Sequence, residues 1–310
     1  MQSLQLRITG LILSLTTLLH SFSTHRIKTP NSGYTRSFSH SVKMKFSGLV
    51  SCLAVAGAAT AAKIPKQKRA LPTTKIANIE VVNTPLVQSA LKLIEDFIPL
   101  QPYLYNHLMR SWLFGAAAFN NNETLKGEID LELHAVGALL HDLGWDMRKD
   151  TPWHSANRPF EVDSGLGAVE FVKQHCRSGW SDARLEKMYD GIVLQGMGSY
   201  LPGKNQDTLW IVKSVEFEFP GPRSPLIKDE DYDSILEAFP NDTVFRGSNE
   251  TFTYLALTKP DGTRGTFIDQ FGVAYVPGYG ELSHVAFDLI TGAIPGEIEN
   301  HPNSTFVSHL

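Results

Sequence analysis

The segment from Leu131 to Trp145, LELHAVGALLHDLGW, constrains this chain more than any other. Leu133, Val136, Leu140 and Leu143 recur at helical spacing, so roughly Glu128 to Trp145 reads as a helix with a continuous apolar face. That helix ends in adjacent His141 and Asp142. A carboxylate buried against such a run is costly without a partner, and a metal ion is the usual remedy. The chain must therefore bury this helix among others and give Asp142 something to hold.

Other helices follow from the same pattern. Thr84-Pro85 is a cap and first-turn pair ahead of Leu86, Ala90, Leu93 and Phe97. Further helices are predicted over about Tyr103–Phe119, Asp163–His175, Ala183–Leu194 and Asp231–Phe239. Leu209–Phe219 fits a helix or a strand on pattern alone. From Gly247 onward, Gly, Pro, Thr and aromatic residues predict mostly loops, with a short hairpin around Pro260-Asp261-Gly262. The expectation is an all-α helical domain over residues 80–240, with an irregular, loop-rich C-terminal extension at 241–310 packed on it. With 310 residues, 42% of them hydrophobic, such a domain needs no disulfide staples.

Three places carry the side chains that divalent transition ions favour: His107, the His141-Asp142 pair, and Glu218 in SVEFEFPGP. They sit on separate segments, so only tertiary packing can bring them together, and spacing alone does not select them. Arg110 lies three residues past His107 on nearly the same helical face. It suits orienting a polar substrate, or a structural ion pair with an acid such as Glu161. His134 shares the face of His141 and reads as a core histidine or a support for the site. His154 falls in a loop. Trp112, Trp145 and Trp153 suit an apolar pocket, although core packing is the simpler reading for Trp112 and Trp145.

The ordered segments NHxxRSW (Asn106, His107, Arg110, Ser111, Trp112), LLHDLGWD (Leu139–Asp146) and RPFEVDSGLGAVEF (Arg158–Phe171) carry a resemblance. Over roughly residues 84–222 the chain resembles the histidine–aspartate (HD) hydrolase superfamily, and within it the fungal cyanamide hydratase-like branch. The resemblance implies an HD-domain helical bundle holding a divalent metal (zinc, iron or manganese) by a His, a His-Asp pair and a later Asp. It implies hydrolysis or hydration by a metal-activated water, acting on a phosphoester or on a small nitrile such as cyanamide. Carried over, His107, His141 and Asp142 match ligands, and Glu218 stands where the last Asp belongs. Asp142 would bind metal and accept a proton, with Arg110 beside it. Gln195 stands where the branch often has a His, and Arg158 and Glu161 fall in the segment after the His-Asp pair. A second reading is a secreted, non-catalytic member that kept the bundle with an altered metal site.

Residues 1–79 hold eleven basic and no acidic residues, leaving residues 80–310 with a formal charge of -15. An acidic globular part is a poor match for phosphate backbones, so nucleic acid is not an expected partner; a small-molecule substrate is. Met44 to Ala62, with a basic start, an apolar run and a small-residue end, reads as a secretory signal peptide. Lys68-Arg69 then resembles a propeptide cleavage site, so 44–69 is expected to be removed. Residues 1–43 read as an extension ahead of a start at Met44, or as a transit-like segment. Sequons at Asn122, Asn241, Asn249 and Asn303 agree with an exported glycoprotein. After signal removal, no run is apolar and long enough to hold the chain in a membrane. Catalysis by a serine elbow or a thiol is disfavoured, since GxSxG is absent and Cys176 would be the mature chain's sole cysteine.

Overall fold

The computed structural model describes residues 71–176, 178–219, 222–280 and 285–300. The expected signal and propeptide segments, and Asn303, lie outside them. The described chain opens with a two-stranded antiparallel ribbon, β1 (Thr73–Ile76) and β2 (Ile79–Val82), which the sequence reading did not anticipate. Its two turn residues, Ala77 and Asn78, both have positive φ, as tight hairpin turns require. Ile79, Val81 and Val82 are buried, and β2 packs against the long second helix.

Helices follow: α1 (Pro85–Ile94), α2 (Pro102–Asn120), α3 (Glu123–Glu128), α4 (Leu131–Leu140), α5 (Phe160–His175), α6 (Asp182–Val193), α7 (Gln206–Glu216) and α8 (Asp229–Ala238). Their starts are local chemistry. Thr84 Oγ1 accepts from Val87 N–H at 3.3 Å, and Asp130 Oδ1 accepts from Leu133 N–H at 3.1 Å. Asn205 Oδ1 accepts from Thr208 N–H at 3.0 Å and starts α7, so the segment whose type the pattern left open is a helix.

α4 is buried on every side from Leu133 to Leu140, which makes it the centre of the bundle. α1, α2, α5, α6 and α7 pack around it. Gly115 and Gly137 allow the closest approaches. A β-carbon at Gly115 would run into His134 and Ser214, and one at Gly137 into Ile211.

The all-α class is borne out. The chain after Gly247 is more regular than its composition suggests. α9 (Val244–Thr258) packs on α2 and on α10 (Asp269–Tyr275), and α11 (Val285–Asn300) closes the described chain. Pro260–Gly262 is a single 3₁₀ turn in place of a hairpin. Phe252, Leu255 and Ala256 make the difference: burying one stripe of α9 against the bundle outweighs the weak propensities of its Gly and Thr residues.

Overpacking a close crossing of this kind costs about 1–3 kcal/mol. Gly115→Ala is therefore expected to lower the thermal midpoint by several degrees. Gly127→Ala, whose new methyl meets open space, should leave it unchanged or raise it slightly. Parallel thermal melts check both.

Candidate metal centre

His107 projects from the middle of α2, His141 caps the C-terminus of α4, and Asp142 begins the turn that follows. All three are buried, and their ligand atoms come together. His141 Nδ1 donates to the Ala138 carbonyl at 2.8 Å, which leaves its Nε2 bare. His107 Nδ1 is engaged by Glu218 Oε2, so its Nε2 is the free nitrogen as well. The two Nε2 atoms stand 3.0 Å apart, and each lies 3.2 Å from Asp142 Oδ2.

That triangle is nearly the face of a tetrahedron around a metal ion. Ligands about 2.0–2.1 Å from zinc at tetrahedral angles stand about 3.4 Å apart. Both Asp142 oxygens are buried, and despite the nearby imidazoles neither has a hydrogen bond. A buried carboxylate without a hydrogen bond is costly, and a cation at the centre of the triangle removes the cost. The residues present therefore fit a divalent ion held by His107, His141 and Asp142. A cavity lined by His107 and Asp142 lies beside them, and three protein ligands with one open side is the pattern of a catalytic metal site.

Glu218, expected as a fourth ligand, does something else. Its Oε2 grips the far nitrogen of His107, and its Oε1 accepts from Arg110 Nε at 2.8 Å and from Arg110 Nη2. The extra methylene of Glu over Asp lets the carboxylate reach behind the imidazole. It thus orients a ligand and raises its basicity. Arg110 is wholly buried, and its Nη1 donates to the Phe239 and Pro240 carbonyls at 3.0 and 2.6 Å. The expected substrate-facing arginine is instead the anchor of Glu218, and its acid is Glu218 in place of Glu161.

The charges follow. Burial alone would strip His107 of its proton, but Glu218 and Asp142 outweigh it and lift its pKa to about 9. Burial raises Asp142 and Glu218, and the neighbouring cationic groups more than reverse it, holding both carboxyls below their usual range.

The remaining expected site residues disperse. His134 donates from Nε2 to Ser214 Oγ at 2.7 Å, and desolvation holds it neutral with a pKa of about 3; it is a core histidine. His154 donates to the Gly144 carbonyl at 2.9 Å and braces the turn bearing Trp145. Arg158 pairs with Asp163 at 2.9 Å, alongside the buried Lys259. Gln195 Nε2 donates to the His141 carbonyl at 2.9 Å and lines the cavity. Glu161 is buried, its Oε2 has no hydrogen-bond partner, and burial, with a smaller push from Asp142, lifts its pKa to about 7. Asn241 and Asn249 are exposed, whereas Asn122 caps α3 by accepting from Leu125 N–H at 3.0 Å.

Of the tryptophans weighed for an apolar pocket, Trp145 lines one, but sequence reasoning missed the phenylalanines that complete the wall. Trp145 stacks on His107 with centroids 5.6 Å apart and lines the cavity, while Trp112 is core. Phe245 and Phe252 from α9 join it, with Phe267 and Phe271. The seven-residue separation of Phe245 and Phe252 was the available signal, since it places both rings on one helical face, whereas Phe267 lies in the turn ahead of α10 and offered none.

No protein-family model matches this chain, and no curated protein matches it. The helical bundle and its buried His-His-Asp cluster are compatible with an HD-type fold.

Two outcomes test the assignment by elemental analysis and chelator competition. His141→Ala should lose bound metal altogether, whereas Glu218→Gln should keep it with affinity lowered about 10- to 100-fold. Because His107 must shed its proton to bind, wild-type affinity should rise about tenfold per pH unit until His107's pKa of about 9 is reached.

Proposed function

We propose that this chain is a metal-dependent hydrolase or hydratase of the HD superfamily, acting on a small molecule. The observation that carries it is the convergence of two imidazole Nε2 atoms and a buried carboxylate that accepts no hydrogen bond, beside a cavity. A bound divalent ion supplies a hydroxide nucleophile by lowering the pKa of its water from 15.7 to about 7. The chain's own groups do the rest. Arg110 and Glu218 hold His107 in one tautomer and orientation. Gln195 fixes the carbonyl of His141, and Trp145 shields the His107 ring from water.

Glu161 is the group suited to moving a proton. Its Oε1 lies behind Gly196 in the cavity wall, where an added β-carbon would come within 3.3 Å of it. A pKa of about 7 lets it give or take a proton at neutral pH. Both nitrile hydration and phosphoester hydrolysis lie within this chemistry.

One observation favours a second reading. With its proton, His107 sits between Glu218 and Asp142 as a self-sufficient ion-pair network, which a non-catalytic bundle could keep for stability. Elemental analysis of protein purified without chelator, beside His141→Ala, decides between them. About one equivalent of transition metal, lost in the variant, supports the enzyme. An empty site in both after attempted reloading overturns it.

We place the mature protein outside the cell. The apolar segment at 44–62 and the exposed sequon residues Asn241 and Asn249 support that placement. Sequencing the secreted N-terminus and treating the protein with an endoglycosidase test it.

Glu161 also yields a stability prediction for metal-free protein. Its folded pKa of about 7 lies above its ordinary 4.5, so its favourable contribution is complete below pH 4.5 and is lost as pH rises towards 7. The difference amounts to roughly 3 kcal/mol at 1.36 kcal/mol per unit. Melts of Glu161→Gln against wild type should therefore show the variant gaining across that window and levelling above it.

A further inference from the structure

The cavity beside the cluster has a volume of about 390 Å³, within the range of about 300–1,000 Å³ usual for small-molecule sites. Its walls are aromatic. Trp145, Phe160, Phe252 and Phe271 form the interior, and the half-exposed rings of Phe245 and Phe267 stand at the rim. His107, Asp142 and Gln195 supply the polar lining at the cluster, and Ser248 and Asn249 of α9 add two polar groups among the aromatic rings. Among the described residues lining it there is no lysine or arginine. The nearby cations are committed elsewhere: Arg110 to Glu218, and Lys259 to Asp163.

We infer that the cavity takes a neutral molecule with a ring-sized apolar body and a single polar head, the head meeting His107 and Asp142. A phosphoester is a poor occupant. Its anion would bring charge into an aromatic chamber lined by the Asp142 carboxylate, where the one cationic side chain among the described lining residues, protonated His107, is already held between Glu218 and Asp142. A three-atom nitrile would leave the walls uncovered, giving up the apolar burial that the site offers. Rings stack edge-to-face around the chamber, Phe252 against Trp145 at 4.9 Å and against Phe271 at 4.9 Å, and the same geometry suits a ligand ring. This deepens the proposed function, on which it rests only for the role of the polar end.

The test uses the full secreted chain, both stripped of metal and loaded with zinc, and three probes: benzamide, acetamide and phenyl phosphate. Titration calorimetry or saturation-transfer NMR reads binding. Benzamide should bind both forms at least tenfold more tightly than acetamide. In the stripped form it should also outbind phenyl phosphate at least tenfold. Ser248→Trp fills the cavity from α9 at a half-buried position, so it should abolish benzamide binding while leaving the melting temperature within a few degrees. Equal binding of benzamide and acetamide, preference for phenyl phosphate, or benzamide binding untouched by a folded Ser248→Trp protein would each overturn the inference. Zinc retention is scored separately. Benzamide selectivity without retained metal removes the proposed hydrolase and keeps the pocket. Retained metal without selectivity does the reverse.

Discussion

Everything at the site depends on one buried ion pair, Arg110 with Glu218. Both groups are buried, and neither charge is tolerable there alone. Arg110 is anchored by the carbonyls of Phe239 and Pro240 at the end of α8, so the pair ties α2 to the segments after α7 and α8. Glu218 uses its second oxygen on His107. The sequence Arg110, Glu218, His107 is therefore a chain of contacts in which each member sets the orientation of the next. At its far end is a nitrogen aimed at Asp142.

The consequence is a division of labour between the two faces of one imidazole. The Nδ1 side of His107 meets protein, and the Nε2 side meets His141 and Asp142. His141 is arranged likewise, with Nδ1 spent on a carbonyl of its own helix. Fixing the inner nitrogens this way pre-organises the outer ones, so a cation meets ligands already in position. Asp142 accepts no hydrogen bond, although both Nε2 atoms lie 3.2 Å from its Oδ2.

The cluster was readable in outline because His107, His141 and Asp142 stand in recognisable segments, and because an acid ending an apolar helix needs a partner. Glu218 was readable as part of the site but not in its role. A side chain of that length can coordinate or brace, and only the crossing of α2 with the end of α7 makes it brace. Arg110 is the same case, since its helical phase beside His107 holds equally for a substrate arginine and a buried anchor. The phenylalanines of the aromatic wall escaped notice because Gly, Pro and Thr dominate the composition around them. The burial that makes α9 a helix comes from α10 and from α2, the latter more than a hundred residues away.

The sequence by itself determined the helix starts, the class of fold and the residue types able to hold a cation. Caps such as Thr84, Asp130 and Asn205, and apolar spacing such as that of α4, act within a few residues and survive in any tertiary setting. Tertiary structure alone decided which nitrogen of each histidine is free, which carboxylate braces and which is left bare, and what kind of chamber lies beside them. These depend on the direction in which side chains leave helices that meet only after folding. Close packing at Gly115 and Gly137 sets those crossings to within a methyl group, and no local pattern encodes that distance.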